Sequence, residues 1–145
     1  MLNGVVASRY WDTGRDDPAF KWNNYLGRYH ERHTDLMDVL ALYQARAGVP
    51  LDDLASMLGF PGKMGMSGAK VWSAYQSGAI KSIRDYCETD VLNTWLVFLR
   101  FQLMRGLLSR EHHALEQAKV KEYLARRNLP HFSEFLQRWE AAGGI

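Results

Sequence analysis

The stretch from about Ile80 to Met104 reads as one long helix, and every other segment has to be placed around it. Ile83, Cys87, Val91, Trp95, Phe98, Leu99 and Leu103 recur at helical spacing and read as its apolar stripe, and Gly106 breaks the run. The same stretch carries Tyr86 and Asp90, four residues apart. On one continuous helix over 80–105 they stand one turn above each other, on the less apolar face. A carboxylate there can hold a divalent metal, and a phenol one turn away can orient the water that such a metal activates.

The shorter segments are helical too. Leu36 to Ala47 shows Leu36, Val39, Leu40 and Tyr43 at helical spacing before Gly48, and Asp35 is placed to cap its start. Pro50 and Leu51 open a second short helix with Leu51, Leu54, Ala55 and Leu58 inward, ended by Gly59. Gly62, Gly65 and Gly68, with Lys63 between, make residues 60–69 a flexible loop by composition. A brief helix over Val71 to Ser77 follows. Beyond Gly106, Glu111 to Arg127 is amphipathic with few large apolar residues, and Pro130 separates it from a last helix over Ser133 to Ala142 with Phe135, Leu136 and Trp139. Residues 1–28 are rich in turn signals, and only 28–35 alternates weakly enough to suggest a strand. A lone strand has no partner for its backbone groups, so either it is absent or the chain belongs to a larger sheet.

Composition narrows the class without choosing the function. At 145 residues, 47% hydrophobic and 23% charged, this is a single ordinary globular domain. A net charge of +2 gives no global case for nucleic acid. The tract from Arg100 to Arg127 is locally basic, through Arg100, Arg105, Arg110, Lys119, Lys121, Arg126 and Arg127, and suits either a phosphate backbone or water. One cysteine, Cys87, excludes an internal disulfide and fits a reducing cytosol. No basic region followed by a long apolar run opens the chain, and Arg100 and Gln102 interrupt its most apolar stretch, so the expectation is a cytoplasmic protein without a membrane span. His30-Glu31-Arg32-His33 has the wrong spacing for a zinc helix, and the adjacent His112 and His113 read as exposed.

Taken alone, a Tyr-x-x-x-Asp match arises by chance about a third of the time in a chain of this composition. Its surroundings are more specific. His33–Asp38, Pro50–Gly59, Pro61–Met66 and above all Asp85–Gly106 resemble the predicted 3′–5′ exonucleases related to the proofreading domain of family-B DNA polymerases, within the DEDD superfamily, and the likeness runs from about Tyr10 to Trp139. The resemblance implies an α/β, ribonuclease-H-like fold and four carboxylates that hold two divalent metals, Mg²⁺ or Mn²⁺. It implies that Asp90 is the fourth carboxylate, a metal ligand, and that Tyr86 is its water-orienting partner. Lys63 and Lys70, around the glycine loop, are candidates to neutralise substrate phosphate. The partner implied is a nucleic-acid 3′ end, DNA ahead of RNA.

The family's first motif, Asp-x-Glu, and its second, an aspartate preceded by an aromatic residue, have no counterpart in this sequence. Asp12 falls after the second-motif helix and does not replace it. The expectation is therefore a mostly helical carboxy-terminal part of the exonuclease fold with most of its sheet missing. Such a domain over 1–145 would be incomplete and inactive or nearly so alone, in need of an amino-terminal half or self-associating. Two other classes remain open: a non-catalytic helical interaction module using the Trp95–Leu103 face, and a helix-turn-helix protein. The second suffers from a gap of Gly59 to Lys70, too long for the turn of that motif.

Overall fold

A computed structural model describes Pro18 and residues 34–143. Among them the chain forms α1 (Leu36–Leu40), α2 (Leu51–Met57), α3 (Gly68–Gln76), α4 (Ile80–Met104), α5 (Arg110–Arg127) and α6 (Pro130–Ala141), and no strand. The strand expected over 28–35 lies almost wholly outside the described residues. Thr34 and Asp35, its last two positions, belong to no strand. Helix α4 is the axis of the assembly: α2, α3, α5 and α6 all contact it, and α5 and α6 contact each other. No helix among the described residues is long and apolar enough to cross a membrane.

Local chemistry sets most of the ends. Asp35 caps α1 as its position suggested, its Oδ1 accepting from the Asp38 N–H at 3.2 Å. Ser109 caps α5 in the same way, accepting from His112 N–H at 3.2 Å. At the other end of α5, Asn128 takes the left-handed conformation (φ 46, ψ 41) that closes a helix. Pro130 opens α6 at its first turn, where a missing N–H costs nothing, so this helix starts three residues ahead of the expected Ser133. Helix α3 likewise starts at Gly68 rather than Val71, which brings Lys70 inside its first turn.

Helix α1 is shorter than its periodicity predicts. It was expected to reach Ala47 and stops at Leu40, where Leu42 and Tyr43 both adopt positive φ (51 and 59) and the Tyr43 N–H donates to Asp38 O. None of its residues is buried. Leu36 and Leu40 pack against the core, but residues 42–47 are all exposed, and periodicity without burial does not sustain further turns.

The core joins Ala55 of α2 and Phe60 to Leu96, Val97 and Leu99 of α4, Leu124 of α5, and Phe132, Phe135 and Trp139 of α6. Trp139 meets Phe60 and Phe135 edge to face, with centroids 6.0 and 6.2 Å away, and Lys121 lies over its ring. Burial of each large side chain contributes about 1.5–3 kcal/mol. The face of α4 that performs this burial is not the stripe read from the sequence. Thr89, Asn93, Leu96, Val97 and Leu99 are buried, whereas Cys87 is exposed and Val91 and Trp95 keep 66% and 42% of their surface. Most of the expected stripe advances by four residues at each step. Each such step turns about 40° around a helix of 3.6 residues per turn, so the series winds off any single face. If these helices once covered a missing sheet, Leu36, Leu40, Ile83, Val91, Trp95 and Leu99 should be less well buried than their size demands. Val91 and Trp95 are exposed and Leu36, Leu40 and Ile83 half-buried, while Leu99 is fully inside.

Candidate functional site

The first half of α4 holds the chemistry. Tyr86 and Asp90 sit one turn apart in an unbroken helix, both half-buried. The Tyr86 hydroxyl is hydrogen-bonded to the Asp90 carboxylate. That bond first, then partial burial and the negative charge of Asp90, push the phenol up to about 12. Tyr86 is therefore a neutral donor at any physiological pH. Thr89 and Thr94 are turned back onto their own helix, their hydroxyls donating to Tyr86 O at 2.8 Å and Asp90 O at 2.9 Å.

The glycine loop is tethered, contrary to its composition. Buried Asn93 donates from Nδ2 to Gly62 O at 2.7 Å and accepts from Gly62 N–H on Oδ1 at 3.2 Å. Asp52 of α2 accepts from the Lys63 N–H at 2.6 Å. Gly62 itself has φ +65, and a Cβ there would meet Asp52 Oδ1 at 2.6 Å and Ser56 Oγ at 2.7 Å, so only glycine fits. This clamp brings Met64 and Met66 to the wall of a cavity of about 230 Å³. Ser82, Asp85, Tyr86 and Thr89 of α4 and His131 and Glu134 of α6 complete the wall. Lys63 and Lys70 are exposed and are not among its lining residues.

Across the cavity from Tyr86 lies a group that the sequence did not reveal. His131 Nε2 is 2.6 Å from Glu88 Oε2, and its Nδ1 is 3.7 Å from Asp85 Oδ1. Lys81, closely paired with Asp85, does most to hold that carboxyl below the usual range, with His131 and Arg84 adding to it against partial burial. Forty-three residues separate Glu88 from His131, so no local pattern could have joined them. His113, read as exposed, is buried on α5; burial, then the Arg100 charge, holds its pKa below the ordinary value.

Over residues 1–139 the chain matches the family described as "Predicted 3'-5' exonuclease related to the exonuclease domain of PolB". It belongs to that family. Comparison with curated proteins and with solved structures found no match to either. Membership implies divalent metals, and the donor set here bears on that directly. Among the described residues, the three side chains close enough to share an ion are Asp85, Glu88 and His131, and Asp90 is not one of them. From Asp85 to Asp90 the helix turns through about 140°, and from Glu88 to Asp90 about 160°, which places Asp90 on the opposite flank. The described residues therefore do not make up a two-metal centre around Asp90.

Proposed function

We propose that this chain is a 3′–5′ exonuclease-type domain whose Asp90 and Tyr86 are the part of the catalytic surface it contributes, acting on a nucleic-acid 3′ end. The observation that carries this reading is the Tyr86–Asp90 pair itself: an acceptor carboxylate and a phenol that it holds protonated up to about pH 12, one turn apart on α4 in a chain of this family. In this reading α1–α6 are the helical layer of a ribonuclease-H-like domain, and the acidic groups of the first two motifs come from outside these 145 residues. Asp90 would serve as a cation ligand. Tyr86 would donate its hydroxyl to an oxygen at the reacting centre, and Lys63 and Lys70 would attract phosphate from the exposed rim. DNA is favoured over RNA as the polymer.

A chain that supplies one carboxylate of four has no complete phosphodiester-cleaving site, since ions of this type need several oxygen ligands. Labelled single-stranded DNA and RNA incubated with the chain and Mg²⁺ or Mn²⁺ should keep their 3′ ends. Retention of full length by the chain alone, with 3′ shortening once a segment bearing the first two motifs is added, is the expected result. Shortening by the chain alone that Asp90→Ala abolishes would overturn the inactivity. Activity of the completed domain that survives Asp90→Ala would overturn the assignment. A second reading, a helical interaction module, is favoured by the exposed Val91 and Trp95, the latter stacked on Phe98 at 5.6 Å.

A further inference from the structure

We propose that Asp85 and His131 form a binding site for one transition-metal cation, zinc(II) by chemical preference, at the junction of α4 and α6, with Glu88 positioning the imidazole. The site is separate from anything at Asp90. It does not depend on the exonuclease reading.

The imidazole is the first argument. His131 sits at the second residue of α6, just after Pro130, with 11% of its side chain exposed. Nε2 is fixed by Glu88 Oε2 at 2.6 Å, the arrangement in which a carboxylate holds one ring nitrogen so that the other is presented to a metal. The other nitrogen, Nδ1, is shut off from solvent and has no hydrogen-bond partner. A buried polar atom left in that state calls for a ligand. Its nearest acceptor, Asp85 Oδ1, stands 3.7 Å away. That is too far for a hydrogen bond, yet close to the roughly 3.3 Å that separates two donors each bound about 2.0–2.1 Å from a tetrahedral zinc ion.

The surroundings supply the rest. Asp85 and His131 both line the same cavity of about 230 Å³, where water can complete the coordination of an ion. One imidazole with carboxylates favours zinc over magnesium, which seeks an all-oxygen octahedron. The cations already present are weak competitors: Lys81 and Arg84 are 72% and 59% exposed. Exposed pairs of this kind release into water at little cost.

Metal-free full-length chain titrated with Zn²⁺ against a chromophoric competitor should take up one equivalent. Co²⁺ substitution should give the visible absorption of a four-coordinate nitrogen–oxygen site. His131→Gln and Asp85→Asn should each weaken binding at least tenfold. Glu88→Gln should weaken it about tenfold through loss of ring orientation. Asp90→Asn should leave Zn²⁺ affinity as it was, which separates this site from the exonuclease reading. Far-UV melts of each variant identify any that fails to fold, and Asp85→Asn, an isosteric change on α4, carries the test if His131→Gln does. Absence of a saturable equivalent, or tight binding that survives both Asp85→Asn and His131→Gln, would overturn the proposal and leave the group as an ion-pair network.

Discussion

Asn93→Ala is the most informative single perturbation of the fold, because one side chain holds the glycine loop against α4. Asn93 keeps 1% of its surface exposed and makes two hydrogen bonds to the buried Gly62, one as donor and one as acceptor. Truncation leaves a buried N–H and a buried C=O without partners. Each unsatisfied group costs about 1–3 kcal/mol, and some relief from entering water brings the expected loss to about 2–4 kcal/mol. In a domain of this size that lowers Tm by about 10 °C. Denaturant and thermal unfolding measure the loss. Amide exchange localises it: the Gly62 N–H should lose protection while the central amides of α4 keep theirs. Asn93→Asp retains an acceptor but removes the donor and buries a charge, so it should fall at least as far. An Asn93→Ala chain within about 0.5 kcal/mol of the parent, with Gly62 exchange unchanged, would refute the clamp.

Two further outcomes test the core and the site. Trp139→Ala should cost about 3–5 kcal/mol by denaturant unfolding, since a fully buried ring between Phe60 and Phe135 is lost, whereas Lys121→Ala, which removes only the cation above that ring, should cost about 1 kcal/mol or less. Ultraviolet titration, with Tyr86→Phe as the difference reference, should place the Tyr86 phenol at about 12 and bring it down towards 10 in Asp90→Asn. The sign is that of a raised pKa: the stabilisation is complete below pH 10 and disappears as pH rises through about 12.

Much of the local structure was legible in the residues. Asp35 as a cap, Pro50 and Leu51 at the start of α2, Gly106 after α4 and the uninterrupted run of α4 all follow from side chains acting on their nearest backbone neighbours. So does the Tyr86–Asp90 pair, because a four-residue spacing on a helix is a spatial statement in itself. The length of α1 was misread for the converse reason. Its periodicity continues to Tyr43, but residues 42–47 are exposed, and Leu42 and Tyr43 turn the chain aside at positive φ.

What the sequence by itself determined, then, is the order of helices, the Asp35 cap and the Tyr86–Asp90 pair carried by a single helix. Only the tertiary structure decided which side of α4 faces inward. The later part of α4 is apolar nearly all round, so periodicity could not choose, and the choice fell to the faces that α2, α5 and α6 present. Tertiary contact also decided that Asn93, a polar residue, would be buried, because Gly62 offers it both a donor and an acceptor. It decided as well that His131 would meet Asp85 and Glu88. Those residues share no local pattern. They come together because burial of Phe132, Phe135 and Trp139 fixes how α6 lies on α4, and the chain that closes that distance leaves no periodic mark of it.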